Sequence, residues 1–293
     1  MKKVLLVYNP VAGEGAFKSR LENIIVNLQR NGFQVTVHIT NKNNDLDDRI
    51  IEAKDFIDTV VIAGGDGTIH KVLNSLFRSK VNNLPVGIIP IGTSNDIANY
   101  FDIPLDIEEA TALIVKGVTK LIDIGEVNGI YFANVASGGL MTEVPHKTNV
   151  RFKNITGKLA YYIKGIEQIP SLKDFPVVIS TPERTVKESI LLFIVLNGTT
   201  AGGFKDLAPD ASMTDGKLDL LVFKSVNISK LPGLFLKILR KEHVPDPSLI
   251  YFQTKGPIFI ECPSETGNDV DGEKGPGFPM EIKLHPAKLS LIC

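Results

Sequence analysis

The first 125 residues alternate between short apolar runs and amphipathic stretches. KVLLVYNP, TVVIAG and PVGIIPIG are typical of buried strands, and FQVTVHIT alternates with the period of two of a strand. Apolar residues recur at helical spacing in the intervening stretches AFKSRLENIIVNLQRNG, DDRIIEAKD, IHKVLNSLF, NDIANYF and LDIEEATALIVKG. Because strands that alternate with helices are joined by right-handed crossovers, residues 1–125 are predicted to form an open α/β domain with a mostly parallel sheet.

The pattern changes after about residue 120 to a succession of short strands. LIDIGEV and IYFANVA flank Asn128-Gly129, which supplies the two positive φ angles of a tight hairpin turn. Further strands are predicted in PVVISTPERTVKESILLFIVLNG, GKLDLLVFKS, SLIYFQTKG, PIFIECP, MEIKLHP and AKLSLIC, and two helices in GKLAYYIKGIEQI and SKLPGLFLKILRK. Residues 126–293 are therefore expected to form an antiparallel β-sandwich domain, although the last strand could return to the first domain.

Composition places the chain among ordinary globular proteins and narrows the choice of partners. Its 293 residues are 43% hydrophobic and 22% charged, with a net charge of −1. Since there is no basic excess, nucleic acid is not an expected partner. No apolar run approaches the 18 or so residues that span a bilayer. Two cysteines, Cys262 and Cys293, form no disulfide framework, which favours a cytoplasmic protein.

Three glycine-containing loops follow predicted parallel strands, at residues 9–15 (NPVAGEG), 64–68 (GGDGT) and 92–96 (GTSND). Ligands of open parallel sheets bind outside the carboxyl ends of the strands. Glycine lets backbone N–H groups approach an anion, and the helix that follows adds a favourable dipole. Any one loop could be a plain tight turn, but three at strand ends predict phosphate binding. The Walker A, dinucleotide-binding and protein-kinase signatures are all missing from the sequence.

Two acidic segments of the second half are open to a catalytic or a structural interpretation. NDVDGEKGPG, at 268–277, gathers Asp269, Asp271 and Glu273 either in a solvated turn or in a site that combines a base with a metal. A kinase that phosphorylates an alcohol needs a carboxylate near the hydroxyl and Mg²⁺ on the phosphoryl oxygens. DASMTDGKLDL, at 210–220, is either a plain turn before a strand or a site for a hard cation.

The loop motifs together resemble the diacylglycerol kinase catalytic domain of bacterial lipid kinases, which sphingosine and ceramide kinases share. The matching motifs are Asn9-Pro10, Gly64-Gly65-Asp66-Gly67-Thr68, Gly92-Thr93-x-Asn95-Asp96 and Asp271-Gly272-Glu273. The second motif alone is moderately specific, since NAD kinases and phosphofructokinases carry related versions. The resemblance covers essentially the whole chain. It implies an N-terminal domain like that of NAD kinase and phosphofructokinase, which binds nucleotide, and a β-rich domain for the lipid substrate.

The resemblance also implies roles for individual residues. The implied ATP site consists of Asn9, Pro10, Val11, Ala12, Gly13, Thr40, Gly64, Gly65, Asp66, Gly67, Thr68, Ile69, His70 and Thr93. The implied catalytic residues are Glu273, Asp271 and Asp66. Glu273 is favoured as the base and Asp271 as its positioning or metal-linked partner, although which of the two takes the proton stays open.

A structural Mg²⁺ site is implied at the Ser212 carbonyl, the Asp215 side chain and the Lys217 carbonyl. Asp96 and Asp123 are secondary candidates for an acidic network around the metal. The segment at 197–204 could line the acceptor site. The basic helix predicted at 229–241 is either a core-packing helix or a contact with an anionic membrane.

The chain is therefore expected to be an ATP- and Mg²⁺-dependent lipid kinase. It would transfer the γ-phosphoryl group to a lipid hydroxyl, and diacylglycerol, giving phosphatidic acid, is the favoured acceptor. An NAD kinase-type enzyme and a non-catalytic nucleotide- or lipid-binding protein are the alternatives. The resemblance implies a cytoplasmic enzyme that meets its lipid substrate at the inner membrane face. Exposed strand edges would permit a homodimer.

Overall fold

The computed structural model describes residues 2–10, 17–40, 45–139, 174–202, 204–263 and 266–293. The helix predicted at 157–169 and the predicted site residues Val11, Ala12 and Gly13 lie outside these ranges. The elements, numbered in chain order over the described residues, divide into an α/β half and a β-rich half.

The α/β half contains β1 (Lys2–Tyr8), α1 (Phe17–Arg30), β2 (Phe33–Ile39), α2 (Leu46–Ala53), β3 (Thr59–Gly64), α3 (Asp66–Arg78), β4 (Val86–Pro90), α4 (Asp96–Tyr100) and α5 (Ile107–Lys116). Its four strands pair in parallel in the order β4-β3-β1-β2. This confirms the predicted open parallel sheet. At the start of α5 the Asp106 carboxylate accepts from the N–H groups of Glu108 and Glu109, and Gly117 ends the helix with a positive φ.

Both faces of the parallel sheet are covered, which explains why its central strands are apolar throughout. Successive residues of β1 point to opposite faces. Leu6 packs with Leu28 of α1 on one face, whereas Leu5 packs with Val72 of α3 on the other. The helices therefore hold the sheet from both sides and leave its carboxyl edge as the place where loops gather.

The β-rich half contains β5 (Thr119–Val127), β6 (Ile130–Phe132), β7 (Val135–Gly139), β8 (Phe175–Ser180), β9 (Thr185–Leu196), β10 (Leu218–Lys224), α6 (Leu231–Leu239), β11 (Leu249–Thr254), β12 (Ile258–Glu261), β13 (Asn268–Val270), β14 (Glu273–Lys274) and β15 (Met280–Ile292). Its neighbouring strands pair antiparallel, as predicted. The turn between β5 and β6 is formed by Asn128 and Gly129, both with positive φ.

The long strand β15 connects the two halves. It pairs antiparallel with β12 and β5, and near its end Leu291 pairs in parallel with Val86 of β4. The hydrogen-bonded sheet thus runs from one half into the other. The boundary predicted between residues 125 and 126 lies inside β5, and the division into two domains stays a prediction. Among the described residues, no helix has the length and apolar character needed to cross a membrane.

Candidate active site

A cleft of about 580 Å³ lies at the carboxyl ends of β3 and β4, where the two halves of the chain meet. On the α/β side it is lined by residues 65–68 of the loop after β3 and 92–94 of the loop after β4. On the other side it is lined by residues 271–273, the turn between β13 and β14. The glycine loops and the acidic turn, far apart in the sequence, therefore share one cleft.

Close packing explains most of the glycines in these loops. A Cβ atom on Gly92 would lie 2.4 Å from the Cα atom of Gly65, so the two loops touch backbone to backbone. A Cβ atom on Gly64 would lie 2.4 Å from that of Thr68. At Gly67 it would lie 3.3 Å from Oε1 of Glu273, across the cleft. From the sequence, these glycines are predicted to give phosphate access to the backbone. The close contact between the two loops is not predicted.

The start of α3 is fixed by short-range hydrogen bonds. The N–H groups of Thr68 and Ile69 donate to the carbonyl of Gly65, which closes the first turn immediately after the glycines. The Asn9 side chain donates to the Thr68 hydroxyl at 2.9 Å and so connects the end of β1 to this turn. The first N–H groups of a helix have no partner within it, so the start of α3 presents donors and a positive dipole end to the cleft.

Asp66, the first residue of α3, is half-buried beside other acids. Burial raises the pKa of its carboxyl group, and the nearby charge of Asp271 raises it further. The backbone N–H groups of Asp96 and Ile97 oppose this shift in pKa by hydrogen bonding. Asp66 therefore occupies a place where negative charge is unfavourable unless a cation or a proton compensates it.

Asp271 is held by the backbone of the opposite loop. Its Oδ2 accepts from the N–H of Ala133 at 2.8 Å, and its Oδ1 accepts from those of Asn134 and Val135 at 3.1 and 2.9 Å. The side chain is almost fully buried, and φ is positive at both Asp271 and Gly272, as in a tight hairpin turn. Three donors thus fix this carboxylate in position.

Glu273 differs from Asp271 in exposure and in partners. Its side chain is 45% exposed, and Oε1 lies 3.9 Å from Nζ of Lys71. Lys71 lies on α3 one turn after Gly67 and also lines the cleft. The acidic turn therefore presents one fixed carboxylate and one that is free to move towards a ligand.

Two buried polar residues of α3 connect the helix to the β-rich half. Nδ1 of His70 lies 3.7 Å from Oδ2 of Asp271. The Asn74 side chain donates to the carbonyl of Tyr131 at 2.8 Å and accepts from its N–H at 2.9 Å. These contacts fix the distance between the first turns of α3 and the strands that hold Asp271.

The other residues predicted to bind nucleotide differ in whether they line the cleft. Thr93 lines it, whereas the side chain of Ile69 lies in the core and would meet a ligand only through its backbone. Pro10 and Thr40 follow β1 and β2 at the same edge of the sheet, but neither lines the cleft.

The residues of the predicted Mg²⁺ loop are not among those that line the cleft. Oδ1 of Asp215 accepts from the N–H of Lys217 at 3.0 Å, and the Ser212 carbonyl accepts from the N–H of Asp215 at 3.4 Å. Asp123 supports this loop, since its carboxylate accepts from the N–H groups of Gly216 and Ala287, both at 2.7 Å. Asp123 therefore holds the backbone of this loop in place.

The chemistry of this loop fits a hard cation. In the part of the chain that the structure describes, no three His, Cys, Asp or Glu side chains are placed to share a metal ion, so a cation would combine a carboxylate with backbone carbonyls. Burial raises the pKa of Asp219, and the charges of Asp215 and Asp210 add to the shift. Among the described residues, Oδ2 of Asp219 has no hydrogen-bond partner. Such an excess of negative charge suits a bound Mg²⁺.

Sequence reasoning missed several residues of the site. Lys71 and Asn134 line the cleft, and Asn74 holds α3 against β6. Lys71 was detectable, because it lies one helical turn after a phosphate-type loop. The two asparagines gave no signal, since their importance depends on contacts with residues far away in the chain.

Comparisons with known proteins cover nearly the whole chain and find relatives among diacylglycerol kinases. Residues 3–127 match the model of the diacylglycerol kinase catalytic domain, and residues 134–293 match that of the YegS C-terminal NAD kinase beta sandwich-like domain. A diacylglycerol kinase of Bacillus subtilis (strain 168) is 36% identical over 286 residues, which are 96% of this chain and 93% of that protein. One from Staphylococcus saprophyticus is 33% identical over 97% of this chain and 94% of its own.

A solved structure supports the fold. The crystal structure of a diacylglycerol kinase from Bacillus anthracis str. Sterne superimposes with a TM-score of 0.77 at 27% sequence identity. The match covers 99% of this chain and 96% of that one.

Proposed function

Because the chain belongs to the diacylglycerol kinase family and is a lipid kinase, we propose that it transfers the γ-phosphoryl group of ATP to the hydroxyl of diacylglycerol and so produces phosphatidic acid. The observation that carries this proposal is the single cleft that the glycine loops and the acidic turn share. The position of a Cβ atom on Gly67 is only 3.3 Å from Oε1 of Glu273. A phosphoryl group bound at the start of α3 would therefore lie within reach of a carboxylate from the other half.

The α/β side supplies the phosphate site. The start of α3 offers backbone donors and the positive end of the helix dipole, which together favour phosphate oxygens. The hydroxyl group of Thr93 lies on the adjacent loop and adds a donor. Phosphoryl transfer needs little covalent assistance, so placement and charge neutralisation would supply most of the rate.

Glu273 is the better candidate for the base. The oxygens of Asp271 already accept three backbone hydrogen bonds, whereas Glu273 is exposed to the cleft. In the proposed step the lipid hydroxyl loses its proton to Glu273, and its oxygen forms a bond to the γ-phosphorus. The bond between that phosphorus and the β,γ-bridging oxygen breaks, and ADP leaves. Asp271 would hold the turn that presents Glu273.

The cleft becomes apolar away from the carboxylates, which suits a lipid. Leu192 and Ile194 of β9, together with Phe204 and Leu207, line this part. The predicted acceptor segment at 197–204 contributes Ala201, Gly202 and Phe204. We propose that the glycerol part of the acceptor lies near Glu273 and that its acyl chains extend along this surface.

Mg²⁺ would be the second cofactor beside ATP. Ser212, Asp215 and Lys217 would hold one ion in their loop. A bound Mg²⁺ supplies positive charge that compensates acidic groups and phosphate oxygens.

Two further proposals concern the location and the oligomeric state of the enzyme. Because its acceptor is a lipid, we propose that the enzyme is cytoplasmic and works at the inner membrane face. Because exposed strand edges can pair with another chain, we propose that it can form a homodimer.

Transfer from γ-labelled ATP tests the proposal directly. The acceptors are diacylglycerol, a sphingoid base, a polyprenol and NAD, each offered separately with Mg²⁺. We expect label in phosphatidic acid, and Glu273→Gln should lower kcat by about 10²–10⁴-fold with an unchanged melting temperature. Glu188→Gln, at an exposed position on β9, is the matched control and should behave like the wild type.

Other outcomes would contradict the proposal. Label in the NAD product alone would indicate an NAD kinase-type enzyme. Tight ATP binding without transfer to any acceptor would indicate a binding protein. Full activity of Glu273→Gln would remove the assigned base.

A further inference from the structure

Lys71 has an unusual place in the cleft. It lies on α3 four residues after Gly67, so both lie on the same face of the helix, next to the phosphate-type loop. Its side chain is 60% exposed, and Nζ lies 3.9 Å from Oε1 of Glu273. The lysine therefore stands between the start of α3 and the acidic turn.

The charges that line the cleft are strongly unbalanced. Among the described lining residues, one side chain is cationic, that of Lys71. Five are acidic, namely Asp66, Asp96, Asp269, Asp271 and Glu273. A triphosphate carries several negative charges, and like charges at short range repel one another. The cleft can hold such a ligand only if cations lie close to its phosphates.

Given the proposed kinase function, we propose that Lys71 binds the γ-phosphoryl group of ATP and exchanges Glu273 for this partner when the nucleotide enters. The flexible four-carbon side chain of a lysine can make this movement, and its ammonium group donates to any phosphate oxygen. When Lys71 moves to the phosphate, Glu273 no longer has a charged neighbour and is free to accept the proton of the acceptor hydroxyl. In this role Lys71 acts by charge and position.

A purely structural role for the Lys71–Glu273 pair does not fit its exposure. Ion pairs between exposed side chains contribute little to stability, because solvent screens them and the side chains lose freedom. Removal of Lys71 should therefore leave the melting temperature unchanged. The effect should appear with nucleotides, and only with those that carry a γ-phosphate.

The test compares ATP and ADP binding by calorimetry, with Mg²⁺ and without acceptor lipid. Lys71→Met should weaken ATP binding about tenfold or more and ADP binding less than about twofold. Lys71→Arg should recover much of the loss because it keeps the charge. Lys54→Met removes an exposed lysine next to α2 and outside the cleft, and it should bind both nucleotides like the wild type.

Kinetics provide the second measurement. For Lys71→Met we expect a higher KM for ATP and a lower kcat, with an unchanged KM for diacylglycerol. Equal losses for ATP and ADP, or wild-type binding of both, would overturn the role of Lys71 even if the enzyme is a kinase. Wild-type protein that binds ATP but phosphorylates no lipid would overturn the proposed function and leave the inference standing. Wild-type protein that binds neither nucleotide would overturn both.

Discussion

The two sides of the cleft are built in different ways. On the α/β side, the loops after β3 and β4 are packed backbone against backbone, so Gly65 and Gly92 determine their shape. On the other side, the carboxylate of Asp271 holds the acidic turn to the N–H groups of residues 133–135. Steric fit thus shapes the proposed phosphate side, and hydrogen bonds to a charged group shape the proposed acceptor side.

Gly92→Ala should have the largest effect, because it separates the two phosphate loops. The new Cβ would lie 2.4 Å from the Cα of Gly65, and no flexible side chain can move away to relieve the contact. Overpacking of this kind typically costs about 1–3 kcal/mol. We expect a lower melting temperature together with loss of ATP binding, measured by thermal unfolding and calorimetry.

Gly233→Ala is the matched control for this prediction. Gly233 lies in α6, and apart from its chain neighbours and the helix's own backbone, no atom of the described residues lies within 4 Å of its Cβ position. Alanine there should be neutral or stabilising by up to about 1 kcal/mol. If Gly92→Ala bound ATP as tightly as this control, close packing of the loops would not determine the site.

Asp271→Asn should have the next largest effect and should act on the other side. The amide nitrogen of Asn cannot accept, so at least one of the three backbone N–H groups would lose its partner. A buried donor without a partner costs about 1–3 kcal/mol. We expect lower stability and lower kcat, whereas the affinity for ATP should change less than in Gly92→Ala.

Asp269→Asn in the same turn separates charge from geometry. Oδ1 of Asp269 accepts from the N–H of Gly272 at 2.8 Å, and an Asn side chain can also accept this bond. The melting temperature of Asp269→Asn should therefore stay close to that of the wild type. Equal destabilisation by both substitutions would show that charge in the turn, and not the bonds of Asp271, matters.

The sequence predicts the parts of the fold that local patterns determine. The parallel strands, the hairpin at Asn128-Gly129 and the antiparallel character of the second half follow from periodicity and turn residues. The pairing of Leu291 with Val86 joins residues that lie more than 200 positions apart, and no local pattern encodes such a contact.

The same limit applies to the candidate site. The glycine loops and the acidic turn could be found because their residue types are unusual at those positions. The contact of His70 with Asp271, and that of Asn74 with Tyr131, bring together residues whose sequence neighbours give no hint of the partner. The roles of the individual site residues stay predictions until the substitutions at Gly92, Asp271, Asp66 and Glu273 are tested.

Asp66→Asn should have the smallest effect on stability, and in the opposite direction to Gly92→Ala and Asp271→Asn. Burial raises the pKa of Asp66, so the folded protein prefers the protonated carboxyl group. This preference favours folding at low pH and is lost as the pH rises through the raised pKa. At neutral pH the ionised group therefore destabilises the apo protein, and a neutral Asn should increase the melting temperature.

Thermal unfolding from pH 4 to pH 8, without nucleotide or metal, measures this effect. The melting temperature of Asp66→Asn should exceed that of the wild type most at the alkaline end of this range. The difference in melting temperature should shrink as the pH falls, because the wild-type carboxyl group then becomes neutral as well. Asp55→Asn, at an exposed site after α2, controls for the loss of one charge. A variant that is less stable than the wild type at every pH would show that the hydrogen bond from the Ile97 N–H to Asp66 outweighs the burial of its charge. A more stable variant would mean that the phosphate side holds its acid at the expense of stability, as expected of a group that is compensated only when a cation or a ligand is bound.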